Sequence, residues 1–196
     1  HQRMMRAARK KTRRRRRNSA HMAAIFDLED IPKLPLYAQA FLATRMARRA
    51  IYHLPAEYLE SERRALLETC DALDAFCAIG GASMKKMRPI YDRVNARRGG
   101  AAGEAAEALY WAVDAAASAE AANDFPVDQT CIRDVQNAFA AASRADGLSP
   151  LQVRTLVAGD FDQLRFACRE AGIGFYDALG SQVMGRMAPV WPPDDR

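Results

Sequence analysis

The side chains able to do chemistry are few, and their spacing assembles no known reaction centre. His53 is the one histidine beyond residue 22. Acid–base catalysis near neutral pH favours imidazole. His53, however, stands at a helix–loop junction before Leu54-Pro55, a position that suits a capping or surface residue. Carboxylates occur in clusters, with Glu57, Glu60 and Glu62 opening one helical pattern and Asp71 and Asp74 late in it. An i, i+3 pair such as Asp71/Asp74 shares a helix face and is able to bind a cation or act on a substrate; the same pattern fits a solvated pair that meets an arginine. Acids in a first turn are already explained by the helix dipole. There is no His-Glu-x-x-His, no Cys-x-x-Cys and no Asp-rich calcium loop. Gly172-Ile173-Gly174 follows a helical pattern rather than a strand, which reads as a C-cap and not a dinucleotide turn. Walker and nucleophile-elbow patterns are absent. The sequence therefore nominates no catalytic residue, no metal ligand and no cofactor. An enzyme using carboxylates or His53 in a helical cavity stands as a remote alternative.

Charge is distributed more tellingly. Ten of the 29 Lys and Arg residues lie in the first 22 positions, which hold no Asp or Glu. Residues 23–196 carry 19 basic and 24 acidic residues, so a tail near +10 joins a body near −5. Adjacent arginines repel and bury nothing, which predicts a disordered arm over 1–22. Such an arm neutralises phosphates with salt-sensitive affinity. Lys10, Lys11, Arg13, Arg14, Arg15, Arg16 and Arg17 are thus the candidate nucleic-acid-binding residues. A transit peptide shares the composition, but five consecutive arginines break an amphipathic stripe. In a third reading the arm is not native, because the chain opens with His1 and His21-Met22 matches a common cloning junction; the natural start is then Met4 or Met22.

The body must position whatever function exists. At 196 residues and 49% hydrophobic, the chain fits one domain with an ordinary core. No window approaches the roughly 18–20 apolar residues of a membrane span. Cys70, Cys77, Cys131 and Cys168 sit inside Ala/Leu/Phe-rich helical patterns and read as buried free thiols in a reducing cytoplasm. Strand alternation is nearly absent. The expected fold is all-α, a single antiparallel bundle-like domain of six or seven helices over 36–193, after an extended lead-in over 23–35 imposed by Pro32 and Pro35. A first helix spans Leu36 to Tyr52. A second starts at Pro55, carries Leu59, Leu66, Cys70, Leu73 and Cys77 inward, and ends at Gly80-Gly81. A third, capped by Ser83, contains Pro89 and shows Met84, Met87, Tyr91 and Val94 on one face.

The fourth helix, Ala101 to Ala122, has the clearest geometry and should be central. Ala101, Ala105, Ala108, Ala112, Ala115, Ala119 and Ala122 repeat at 4-3 spacing beside a second row of Ala102, Ala106, Leu109, Val113 and Ala116. Two rows of small residues let neighbouring backbones approach closely. Its polar row is Glu104, Glu107, Trp111, Asp114 and Ser118. Trp111 is out of place there: it lies over a neighbouring element, or it is an exposed anchor flanked by Glu104, Glu107 and Asp114 for a partner. A fifth helix carries Ile132, Val135, Phe139 and Ala142 inward. Ser149-Pro150-Leu151-Gln152 is a capping box that opens a short sixth helix. Asp160-Phe161-Asp162-Gln163 reads as a second box opening a seventh, with Phe161, Leu164 and Cys168 inward. Trp191 is expected to pin the C-terminal segment to the body.

Residues 36–98 carry 11 basic and 7 acidic residues, and residues 99–196 carry 7 and 14. If the first three helices are neighbours, Arg45/Arg48/Arg49, Arg63/Arg64, Lys85/Lys86/Arg88 and Arg93/Arg97/Arg98 form a modest positive face. The acidic half suits a basic protein partner.

The segment Leu34-Pro-Leu-Tyr-Ala-Gln-Ala-Phe-Leu-Ala-Thr-Arg-Met-Ala-Arg-Arg49, ahead of a Leu-rich and an Ala-rich helix, resembles the Ala-rich, all-helical immunity proteins of bacterial toxin systems and kindred helical bacterial proteins. Asp160-Phe-Asp-Gln-Leu-Arg-Phe-Ala-Cys-Arg169, with Pro189-Val-Trp191-Pro192, resembles their C-terminal ends. The resemblance implies a bacterial, cytoplasmic, non-catalytic binding protein; the polybasic start departs from that pattern. The leading functional expectation is a non-enzymatic protein–protein interaction module, of toxin-neutralising type. The alternative is a nucleic-acid-associated protein acting through its arm.

Overall fold

The computed structural model describes residues 26–81, 84–99, 102–122, 128–145 and 147–190. The arm with Lys10, Lys11 and Arg13 to Arg17, the Ser83 cap, the side chains of Lys85 and Lys86, and Trp191 lie outside the described residues. The described chain is all-α, with no strand. Its helices are α1 (Leu36–Tyr52), α2 (Glu60–Ile79), α3 (Met84–Asn95), α4 (Gly103–Ala121), α5 (Asp128–Arg144), α6 (Pro150–Ala171) and the short α7 (Gly180–Met184).

The lead-in departs from expectation. Residues Leu28–Lys33 form a 3-10 helix, flanked by extended backbone at Asp27 before it and at Leu34 after it. Asp27 caps it by accepting the Glu29 N–H at 3.1 Å. The fixed φ of Pro32 suits a 3-10 turn as well as an extended chain. The second helix also starts late, at Glu60 rather than Pro55. Arg63 donates to the carbonyls of Leu54 (3.0 Å) and Pro55 (2.9 Å) and holds the preceding residues in a turn. Leu59 is consequently exposed, while Leu66, Cys70, Leu73 and Cys77 are buried. Gly80 ends the helix at φ +67; a Cβ there would lie 3.2 Å from that of Ala178 and 3.3 Å from the Tyr37 hydroxyl.

Helix α4 packs as its two alanine rows require, with α1 on one side and α5 on the other. Helix α4 runs antiparallel to both α1 and α5. Tyr37 at the start of α1 meets Glu120 near the end of α4, and Glu104 at the start of α4 meets Arg144 at the end of α5. The most enclosed element is nevertheless α1, in which 14 of 17 residues are buried. A helix buried all round is the hub of a core. Its buried polar side chains each find a partner: Gln39 donates to the Leu34 carbonyl, Thr44 to that of Ala40, and Arg45 to Asp160 and the Ala188 carbonyl, while Gln39 Oε1 and Arg45 Nε are left without one. All four cysteines are free and buried.

Asp160 corrects the reading of the C-terminal half. The Ser149 box forms as expected, with Gln152 N–H to Ser149 at 3.2 Å and Ser149 N–H to Gln152 at 2.8 Å. No second helix begins at Asp160, because α6 is continuous to Ala171 and closes on Gly172 in the left-handed region. Buried mid-helix, the Asp160 carboxylate takes Arg45 (2.8 Å) and Arg49 rather than a backbone amide. Burial alone would raise its pKa; the hydrogen bonds and charges of Arg49 and Arg45 outweigh that and hold it below the ordinary carboxylate value. A depressed carboxylate stabilises the fold above its unfolded pKa, about 3.9, and that contribution fades as pH falls toward the folded value. Asp160→Asn should therefore cost about 3 kcal/mol at pH 7, since it leaves two arginines without their counter-charge. Chemical denaturation at pH 7 and pH 3 should show the difference from wild type shrinking in acid; a constant difference would contradict the electrostatic account.

Candidate functional site

The row proposed for partner binding is largely engaged within the molecule. Glu104 accepts from Arg144 at 2.9 Å. Glu107 takes a forked hydrogen bond from Arg98, at 2.6 and 2.9 Å, and accepts the Trp111 indole N–H at 2.8 Å. Those interactions hold the Glu107 carboxyl below its ordinary value. Trp111 is half-buried against the core and edge-on to Tyr110, whose ring also meets Tyr91 and carries the Arg98 guanidinium at 3.8 Å. Arg98 thus ties the chain after α3 to α4. Asp114 differs: half-buried beside Asp134, its carboxyl is pushed up to about 6 by burial and then by that like charge. Asp134 is raised by burial, although the Ser118 hydroxyl donates to it at 2.9 Å.

The expected positive face is reduced by pairing, although Arg64, Arg88 and Arg93 stay exposed and enter no ion pair among the described residues. Arg45 and Arg49 share Asp160, and Arg48 bridges Asp71 (2.8 Å) and Asp74 (2.6 Å). Arg63 meets Glu60, Arg97 meets Glu62, and Arg98 meets Glu107. The i, i+3 pair Asp71/Asp74 is therefore an arginine partner.

The two ends of the bundle carry different chemistry. At one end, α1 finishes, α4 begins and α5 finishes around a cleft of about 260 Å³. His53, Glu104 and Arg144 face it between apolar walls such as Ala50, Ala102 and Ala145. Gly147, at φ +86, lies so close to the imidazole that a Cβ would sit 2.9 Å from Nδ1. Burial lowers the His53 pKa, so the imidazole is neutral near pH 7. This is the place the remote enzymatic alternative points to. Glu104 and Arg144 neutralise each other there, and among the described residues no group of three His, Cys, Asp or Glu side chains is placed to hold a metal.

At the opposite end, α1 starts, α2 finishes and the 172–179 loop crosses. The loop is fixed by backbone bonds from Leu36 N–H to the Phe175 carbonyl and from Leu179 N–H to the Cys77 carbonyl, both 2.9 Å. The Asp177 carboxylate accepts the Gly174 N–H at 2.7 Å. On this fixed frame Phe175 and Tyr176 pack edge-to-face yet stay exposed, and Ile79 at the end of α2 is 79% exposed. Phe166 on α6 is exposed as well. Sequence reasoning passed over these residues. The available signal was an apolar residue out of phase with the inward stripe, as Phe166 is with Phe161, Leu164 and Cys168.

No helix among the described residues is long and apolar enough to cross a membrane. No family model, curated protein or solved structure matches this chain.

Asp114 offers a direct test of the electrostatics. A carboxyl whose folded pKa is raised favours the fold when protonated, and that contribution is lost as pH rises through about 6. Asp114→Asn should raise stability by roughly 1 kcal/mol at pH 7.5 and bring little gain at pH 4. Thermal melts at the two pH values check it.

Proposed function

We propose that this chain is a non-enzymatic protein-binding module of the toxin-neutralising type its sequence resembles. The observation that supports it best is the apolar end: Ile79, Phe175 and Tyr176 stay in water together at one end of the bundle. Exposed aromatic side chains on a rigid frame are the usual anchors of protein interfaces, because they bury much area for little lost side-chain entropy. The frame is supplied by the Leu36–Phe175 and Leu179–Cys77 backbone bonds. The surplus of acid over residues 99–196 favours a partner with a basic surface. With the full chain as bait in extract from its source cells, wild type should retain a protein that Phe175→Ser/Tyr176→Ser loses by about tenfold or more, as expected for a lost interface anchor. Equal recovery by the two baits, or turnover of a small molecule with no protein retained, would overturn the reading.

A second reading is carried by Lys10, Lys11 and Arg13 to Arg17, whose charge density suits phosphate. DNA and RNA binding should then weaken steeply between low and physiological salt and be lost on deletion of residues 1–22. Unchanged binding on deletion, or indifference to salt, excludes the arm.

A further inference from the structure

Helix α6 turns one face to the core and leaves the opposite one to solvent. The inward residues are Val153, Val157, Asp160, Phe161, Leu164, Ala167 and Cys168. The outward stripe runs Leu151, Thr155, Gly159, Asp162, Phe166, Arg169 at 4-4-3-4-3 spacing, and all six are exposed. Within it, Phe166 is 53% exposed and stands four residues after Asp162 and three before Arg169. The Arg169 guanidinium lies 5.6 Å from the Phe166 ring centre. Among the described residues neither Asp162 nor Arg169 enters an ion pair, although most arginines of α1 and α2 do.

An acid and a base spaced almost equally about an exposed aromatic ring form a self-complementary pattern. Two-fold symmetry requires that one patch serve both copies. Place two α6 helices antiparallel with the axis beside Phe166. Each Asp162 then stands level with the partner's Arg169, on the same side of the contact, and the two phenyl rings meet at the centre. Gly159 falls level with the partner's Gly172. A Cβ added at Gly159 would meet nothing within 4 Å, so the surface there is open to a second backbone. A parallel pairing would instead set Asp162 against Asp162 and Arg169 against Arg169.

We propose that the outward face of α6, centred on Asp162, Phe166 and Arg169, binds a second copy of this chain in an antiparallel two-fold dimer. The contact is one helix on one helix, about 20 Å long over residues 159–172 at 1.5 Å per residue. An interface of that size is at the small end of specific contacts, so the dimer is reversible and concentration-dependent. It rests on different side chains from the Ile79/Phe175/Tyr176 end, although the two surfaces adjoin at Gly172, and their tests change different residues.

Sedimentation velocity on the nucleic-acid-free full chain over a concentration series tests it. Wild type should pass from monomer to dimer. Asp162→Arg and Arg169→Asp should each weaken dimerisation about tenfold or more, since each substitution creates two like-charge contacts per dimer. The double variant D162R/R169D should return it to within about threefold of wild type, because the pairs are restored with their signs exchanged. Circular dichroism melts confirm that each variant folds. A chain that stays monomeric throughout, single variants that dimerise like wild type, or a double variant as weak as the singles would overturn the proposal. So would a monomeric wild type whose α6 face captures a different protein in an Asp162-dependent way.

Discussion

The structure depends on the enclosure of α1. Once a helix is covered on every side, a polar side chain on it is costly unless it is hydrogen-bonded inside the protein, and a guanidinium above all must find a counter-charge. Arg45 is the critical case. Its partner, Asp160, comes from α6, more than a hundred residues later, and the same carboxylate takes Arg49. This charge cluster sets the position of α6 along α1. It also accounts for the absence of a helix break at Asp160. The Ala188 carbonyl, a second acceptor for Arg45, brings the segment after α7 to the same point.

Around that hub, α4 supplies closeness rather than bulk. Its two alanine rows let α1 and α5 approach. A cleft opens at an end of the bundle, where α1 and α5 finish, α4 begins and His53 lies under Gly147. Among the described residues six aromatic side chains, Phe26, Tyr37, Phe41, Phe76, Phe139 and Phe161, are buried in the core, and others gather at its edges. Tyr91, Tyr110 and Trp111 join α3 to α4, while Phe175 and Tyr176 cover the other end and remain in water.

Much of the helical plan was legible in the sequence. The bounds of α1, the stripes of α2 and α4, the Ser149 box and the Gly172 cap follow from local rules, because periodicity and capping act over a few residues. Two of the errors share one cause. Asp160-Phe-Asp-Gln163 satisfies the local rule for a helix start, yet an arginine from a distant helix outcompetes the backbone amide for its carboxylate. The positive face inferred from Arg45/Arg48/Arg49, Arg63/Arg64, Lys85/Lys86/Arg88 and Arg93/Arg97/Arg98 is thinned for the same reason, since counting charges along the chain ignores that Arg45, Arg48, Arg49, Arg63, Arg97 and Arg98 meet carboxylates in space. Trp111 stood out correctly as unusual, but its indole N–H is taken by Glu107 one turn away.

By itself, then, the sequence determined an all-helical chain, the helix faces that turn inward, and the opposite charge of arm and body, all consequences of near-neighbour physics and composition. Tertiary structure alone decided which helix is the hub, which charges cancel, and which apolar side chains are left over. Those outcomes depend on contacts between residues far apart in the chain. The exposed residues at the candidate interfaces are apolar side chains that the packing of these helices leaves outside the core.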